Sequence, residues 1–522
     1  MKLTFGAGTD TGKVRKHNED NYLIDRTNNI FIVCDGMGGH AAGEVASAMA
    51  VKVVREEIAR HQRLLDAYIR GDESIGRRGV LLMLERAVNT ACIEVFRKAQ
   101  QTPQNRGMGT TIVALVIAGT RGFLAHVGDS RIYLLRQGQV HQLTEDHSLI
   151  NELVKQGRVR SERGVPARYK SAVTRAVGVY ESVQVDTLDF DVLSGDRFLL
   201  CTDGLHGYLT DNQLPALMSG ESDQDAVARL LRYANSQGGR DNITAIVVSI
   251  PESGEDGREI RTQRKLQTLK SLELFRNLSY QEIVKVLNVA REESFPEGHR
   301  ILREGDREGG LFVILEGEVA IEKNGTKMAL AGPGALFGEM SLIDRGPRSA
   351  DVIARSEVVT LSVSPHGFYE LLRRNQELAV KLLWSFLHVM SARLRTTTDA
   401  LSELKGERDA ARLTGEQVGP VMMVPKYGFP SSETDEPYGN GAVDPEASIR
   451  DLVPRTTVIS SSVVSELESG EQELLALGDT IPNLPVFKDS DLMKAGGGQP
   501  ENDAPAAEPA PPPLPKKPDT EE

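Results

Sequence analysis

Asp35 closes the apolar run FIVC and opens DGMGG, and Asp203 ends FLLCT in the same way before Gly204. A carboxylate carried to the edge of a core is costly unless something neutralises it. Other acids stand at strand ends or in tight polar turns: Glu19 and Asp20 in RKHNED, Asp129 in HVGDSR, Asp241 in GGRDNIT. Singly, each has an ordinary explanation, because Asp-Gly and Asp-Asn are common turn dipeptides. Gathered on one sheet rim they would repel, and hard divalent cations that prefer oxygen relieve such repulsion. Few His or Cys lie near these acids, which disfavours zinc and favours manganese or magnesium. Gly36, Gly38 and Gly39 let the backbone turn sharply, so that a carbonyl can approach a metal. A water bound by such a cation loses its proton readily and becomes a nucleophile, so no nucleophilic Ser or Cys is needed.

A second set lies in FGEMSLIDRGPRSADVIA, residues 337–354. Glu339 and Arg348 stand nine residues apart, among Gly338, Met340, Ser341, Ser349 and Ala350. The plain reading is an exposed Glu/Arg pair on a hairpin. The sharper one is a phosphate cassette. A short helix opening at Gly338 would aim backbone N–H groups at an anion. Arg348 would add a bidentate charge, and Glu339 would accept from a sugar hydroxyl.

These residues need elements to position them. NIFIVC, TTIVALVIAG, GFLAHVG, RIYLLR, DRFLLCT and NITAIVVSI read as strands, being short, apolar and bounded by Gly, Asp or Asn. GEVASAMAVKVVREEIARH and GVLLMLERAVNTACIEVFRKAQ carry helical spacing. PESGEDG breaks the pattern, giving a first domain over 1–251 and a linker over 252–270. Many short strands with closely spaced glycines follow, as in a β-roll, over 271–396. A long helix from about Pro365 to Leu404 follows, with room for a break, and 397–415 reads as a helical extension. Leu387, Met390, Leu394, Leu401 and Leu404 fall at heptad-like spacing. That fits a short coiled coil or, the preferred expectation, one face packed on its own domain. The fold class is α+β: a β-sandwich flanked by helices, then the roll with C-terminal helices, then a disordered tail.

Length and composition fit two or three soluble globular domains, at 522 residues, 40% hydrophobic and 26% charged. The net charge of −13 belongs to the tail. Residues 416–522 hold 20 of the 74 acidic and 7 of the 61 basic residues, leaving 54 of each sign elsewhere. A charge-balanced body gives no support for nucleic-acid binding. No apolar run is long enough to span a bilayer, and no secretory signal is apparent. Cys34, Cys92 and Cys201 make no disulfide framework, so a reducing, cytoplasmic setting is expected. The Pro-rich tail cannot bury enough surface to fold alone. Its PPLPKKP could dock an aromatic groove of a partner protein, although a plain solvated tail is the preferred reading.

RKHNEDN, DGMGGHAAGEVAS, GMGTT, HVGDSRIYLL, LTEDHSL, LLCTDGL and GGRDNIT occur in this order over about residues 4–250. Together they resemble the bacterial branch of the metal-dependent 2C-type serine/threonine protein phosphatases. The resemblance implies two bridged manganese or magnesium ions, with a third in bacterial relatives. Asp35 would bridge. Asp20 and the Gly36 carbonyl would serve one ion, with Glu19 acting through water, and Asp203 and Asp241 the other. Asp129, with Asp203, would form the third site. Arg15 would hold the substrate phosphate. Met37 stands where animal relatives carry a histidine, a candidate general acid. His40 is near in sequence, and the proton donor stays unassigned. Residues 144–178 correspond to a variable flap, either a substrate-recognition element or a helical surface excursion.

The 337–354 stretch, with GLFVILEGEVAI before it, resembles the cassette of cyclic nucleotide-binding domains over about residues 272–395. Glu339 would meet the ribose 2′-hydroxyl and Arg348 the cyclic phosphate. Cyclic AMP is the first expectation, and cyclic GMP stays open because Ser349 could contact a guanine amino group. The helix after Pro365 would be the lid. The combined expectation is a phosphatase acting on phosphoserine and phosphothreonine proteins and tuned by cyclic nucleotide. The alternative is a nucleotide sensor on a degenerate phosphatase scaffold. A dinucleotide loop at GMGGHAAG is disfavoured, because its acid would fall inside a helix.

Overall fold

A computed structural model describes residues 3–38, 42–156, 172–220, 222–252, 257–307, 309–340, 342 and 346–414, with backbone alone at 400, 403, 404 and 406–414. His40, Ser341, residues 157–171 of the flap and the 416–522 tail therefore lie outside the described residues.

The first unit opens with strands β1 (Thr4–Asp10), β2 (Asn21–Asp25), β3 (Ile30–Cys34) and the short β4 (Gly36–Met37). Helices α1 (Ala42–Arg60), α2 (Gln62–Ile69) and α3 (Arg77–Gln101) follow. Then come β5 (Gly109–Thr110), β6 (Ile112–Ala118), β7 (Arg121–Val127), β8 (Arg131–Arg136), β9 (Gln139–Gln142) and helix α4 (Leu149–Lys155). The rest is β10 (Asp186–Asp191), β11 (Arg197–Cys201), α5 (Asp203–His206), α6 (Leu214–Leu217), α7 (Asp223–Ser236) and β12 (Ile243–Ser249).

Two five-stranded antiparallel sheets form, ordered β1-β12-β11-β8-β9 and β10-β7-β6-β3-β2. Side chains alternate between faces along a strand. Phe31 and Val33 therefore enter the core between the sheets, with Phe198, Leu200, Ile246 and Val248 from the other sheet. Ile30, Ile32 and Cys34 turn outward onto α1 and α3. β3 is thus covered on both faces, which is why FIVC reads as an unbroken apolar run. Leu199, Cys201, Ala245 and Val247 likewise meet Val227 and Leu230 of α7.

The second unit holds α8 (Gly257–Ser271), α9 (Tyr280–Val289), β13 (Ala290–Phe295), β14 (Arg300–Leu302), β15 (Leu311–Glu316), β16 (Val319–Lys323) and β17 (Thr326–Ala331). β18 (Leu336–Phe337), β19 (Asp351–Ala354), β20 (Val358–Val363), α10 (Pro365–Arg374) and α11 (Gln376–Thr414) follow. Its sheets run β13-β20-β15-β18 and β14-β19-β16-β17, around Phe312, Ile314, Phe337 and Val358.

Three expectations change. The 252–270 segment, read as a linker, carries α8, whose Leu266 and Leu269 are buried. Charged neighbours hide that spacing in the sequence. The break in the long helix falls at Asn375, and α11 then runs without interruption past residue 396. The heptad leucines do not pack on their own domain: Leu387, Leu394 and Leu401 are exposed. Leu378, Leu382, Phe386 and Val389 form the inner face instead.

The units are joined through α9, which starts with a capping box between Ser279 and Glu282. Arg136 Nη1 donates to the Tyr280 hydroxyl at 2.9 Å, while its other nitrogens grip Asp196 at 2.8 and 2.6 Å. His141 stacks on the Tyr280 ring at 4.1 Å. At the far end of α9, the Asn288 side chain accepts from Arg77 and Arg121 and donates to the Asp189 carbonyl. Tyr280→Phe keeps the stack but leaves a buried guanidinium N–H without its acceptor. The expected cost is about 2 kcal/mol, read from the midpoint of urea unfolding.

Candidate active site and nucleotide cassette

The sandwich brings the acids to one rim. Asp35 follows β3, Asp129 follows β7, Asp203 follows β11, and Asp241 precedes β12. Asp20 precedes β2. Each is where a strand ends or begins, so the sheet order converts distant sequence positions into neighbours.

The backbone around them is tied down. The Thr110 hydroxyl and the Thr111 N–H both donate to the Asp35 carbonyl, at 2.8 and 2.9 Å. The Gly36 N–H donates to the Glu19 carbonyl at 3.1 Å. The Ser47 hydroxyl donates to the same carbonyl at 2.7 Å. A Cβ on Gly36 would stand 2.2 Å from the Gly43 carbonyl oxygen, so only glycine fits. Asn242 holds the Glu19–Asp20 loop: its Oδ1 accepts from the Glu19 N–H at 2.8 Å, and its Nδ2 donates to the carbonyls of Thr11 and His17.

The electrostatics show mutual repulsion. Burial first, then neighbouring acids, pushes Asp20 up to about 7 from 3.8 and Asp203 up to about 6. Asp35 and Asp129 are pushed well above the carboxylate range by burial and by the surrounding carboxylates. Glu19 is raised by burial. The carboxyls of Asp35 and Asp203 are in hydrogen-bonding contact. The Thr202 hydroxyl donates to Asp20 Oδ2 at 2.9 Å, but Asp20 Oδ1 and Asp203 Oδ1 are buried without a protein partner. Buried, orphaned oxygens in an all-carboxylate set fit a hard divalent cation. Arg15, about half exposed, donates to Asp241 Oδ2 at 2.8 Å on the open side. Met37 in β4 supplies no proton.

Sequence reading missed Thr202, Asn242 and the threonine pair Thr110–Thr111. Each had a signal, since Asn242 lies in GGRDNIT, Thr110 and Thr111 in GMGTT, and Thr202 in LLCTDGL. A further cluster was also missed. His126, His147 and Asp186 place ligand atoms within 4.8 Å of one another. There the Arg175 guanidinium already fills the cation's position, at 2.9 Å from Asp186 and 3.1 Å from His147 Nε2.

In the second unit, Gly338 has φ +80°, and its carbonyl accepts from Arg348 Nη1 at 2.8 Å. Arg348 Nη2 donates to the Gly310 carbonyl at 3.0 Å. Arg348 and Glu339 are both buried, so they are not the exposed hairpin pair of the plain reading. Met340 and Ser349 are exposed, and Ala350 is partly so. Nothing in the chain near Glu339 hints at the partner it takes: Arg393, reaching from α11.

Known proteins agree with both halves. The family model described as protein phosphatase 2C matches residues 7–247, and that of the cyclic nucleotide-binding domain matches residues 292–375. The serine/threonine phosphatase stp of Listeria monocytogenes is 36% identical over 254 residues, covering 48% of this chain and 97% of that protein. The protein phosphatase PhpP of Streptococcus pneumoniae is 35% identical over 248 residues, covering 47% of this chain and 96% of that protein. A solved structure of the PstP catalytic domain, described as a complex with 2 manganese ions, is 32% identical over 48% of this chain and 99% of that chain, with a TM-score of 0.40. The chain belongs to the protein phosphatase 2C family. It is a serine/threonine phosphatase that carries a cyclic nucleotide-binding domain in the same polypeptide. Among the described residues, no helix is long and apolar enough to cross a membrane.

Proposed function

We propose that the chain hydrolyses phosphoserine and phosphothreonine in proteins with two or three manganese or magnesium ions, and that a cyclic nucleotide tunes the rate. One observation carries the catalytic part: the clustered carboxylates of Asp20 and Asp129, buried, and of Asp35 and Asp203, partly buried, two of the four with orphaned buried oxygens. Asp35 would bridge, Asp20 and the Gly36 carbonyl would hold one ion, and Asp203 and Asp241 the other. Glu19 would act through water and Asp129 at a third position. The chemistry such ions supply when bound is a deprotonated water at neutral pH and neutralisation of phosphoryl charge. The chain's own residues do the placing. Asn242 and Thr202 fix the Glu19–Asp20 loop, and the glycine at 36 lets the chain pass close to the Gly43 carbonyl. Arg15 stands at the mouth with a planar fork suited to a phosphate.

For regulation, the cassette pairs Arg348 for the cyclic phosphate with Glu339 for the ribose hydroxyl. Gly338, Met340, Ser341, Ser349 and Ala350 would line the remainder. Cyclic AMP is the first ligand to test and cyclic GMP the second. What supports coupling is the reach of α11. Its Arg393 holds Glu339, and its first-turn Glu377 accepts from Lys155 of α4 at 2.7 Å. α4 lies within the flap segment. A nucleotide that takes Glu339 from Arg393 would bind two positions of α11 unequally, and 1–3 kcal/mol of such difference suffices.

The test is manganese-dependent hydrolysis of a phosphopeptide with and without each cyclic nucleotide. Equal rates at saturating nucleotide would retire the regulatory half and leave the catalytic half standing. In calorimetric titration, Arg348→Ala is expected to weaken nucleotide binding at least about 30-fold, the worth of a charge-assisted pair of about 2 kcal/mol or more.

A further inference from the structure

Helix α11 is apolar on both sides. Leu378, Leu382, Phe386 and Val389 are buried against its own unit. The opposite side carries Val380, Leu383, Trp384, Leu387, Leu394 and Leu401, which are 55, 52, 70, 63, 69 and 48% exposed. Trp384 is the only tryptophan in the chain. Val380, Leu387, Leu394 and Leu401 recur every seven residues, with Leu383 and Met390 three positions after the first two. At 3.6 residues per turn these positions make one stripe along the outer side of the helix.

We infer that this stripe is the contact of a homodimer, in which α11 pairs in parallel with α11 of a second copy. Three observations select that occupant. A row repeating every seven residues stays in contact over many turns only with another helix that supercoils around it, and a parallel copy meets it in register. From the fractional exposures, the six side chains present on the order of 600 Å² per copy, so about 1,200 Å² would be removed in a pair, which reaches the range of specific interfaces. A monomer rarely leaves a patch of that size bare. Finally, the most apolar stretch of the chain's own tail, 458–478, offers only Leu467 and Leu474 at this spacing, too few to cover the row. Arg393 lies on the flank of the stripe while holding Glu339, so pairing would also fix the helix that meets the cassette.

Sedimentation equilibrium of the full chain at micromolar concentration tests this. The expected mass is twice 57.0 kDa. Leu387→Glu combined with Leu394→Glu is expected to return 57.0 kDa with the phosphatase rate unchanged. Leu394→Cys is expected to cross-link into a dimer on mild oxidation, against no background, because Cys34, Cys92 and Cys201 are all buried. A wild-type monomer throughout the range, a dimer that survives both glutamates, or a Leu394→Cys dimer that fails to cross-link would each overturn the inference.

Discussion

Asp203→Ala is expected to lower manganese-dependent phosphopeptide turnover by roughly 10³-fold or more, while the folded protein becomes more stable in chelator. The two halves have one cause. Asp203 stands at the end of β11 with Oδ1 buried and unpartnered, and its carboxyl touches that of Asp35. Removing it takes a donor from the ion cage, and metal stabilisation of phosphoryl transfer is worth several kcal/mol, at about 1.4 kcal/mol per decade of rate. It also removes one member of a mutually repelling set, which relieves Asp20 and Asp35 when no cation is bound. A merely structural aspartate would behave differently: its loss would lower the melting temperature with chelator as well as with manganese. A variant that melts higher in chelator but keeps its rate would end the assignment of Asp203 to the cage.

The acids are legible in sequence for a physical reason. A strand buried on both faces is an unbroken apolar run, and a charge at its end stands out: FIVC before Asp35, FLLC two residues before Asp203. Convergence is not legible from any single run. It depends on the order β1-β12-β11-β8-β9 against β10-β7-β6-β3-β2, which only the ordered set of motifs, read as a resemblance, conveyed. The holders of the cage are harder still. Asn242 works through its amide, bonding three backbone groups some 220 to 230 residues away in the chain, and nothing local marks it as more than a turn residue.

The second unit shows the opposite failure. Its cassette is a contiguous stretch, so Glu339 and Arg348 are visible. Their partners are not, because Arg393 is 54 residues beyond Glu339 on a helix read only as a lid. The heptad is visible as a spacing, but spacing does not say which side of a helix faces home. Leu378, Leu382 and Phe386 compete for that role and win it, since they join the core cluster of Phe368 and Leu371 in α10. A helix with two apolar sides gives a blurred periodicity, and the side left outside becomes apparent only when burial is measured.

In chelator, stability is expected to fall as the pH rises from 7 to 8, and with manganese that fall is expected to vanish. The sign follows from linkage. A carboxyl whose folded value is raised binds a proton in the native state that the unfolded chain, titrating near 3.8, has already released. Stability then decreases with pH until the native group also deprotonates. Asp20, at about 7, loses its proton within this window. Asp35 and Asp129, raised well above the usual range by burial and by their neighbours, act in the same direction. Groups elsewhere act below this range. His126 and His141, depressed to about 3 and 4 by burial, favour the unfolded chain only under about pH 6.5. They are also common to both curves, so the difference between chelator and manganese isolates the cage. A cation binds the deprotonated carboxylates and replaces the protons, which removes the slope. Thermal melts at pH 7 and 8 in each condition read the effect directly, and parallel curves would mean that the buried acids are not where the ions bind.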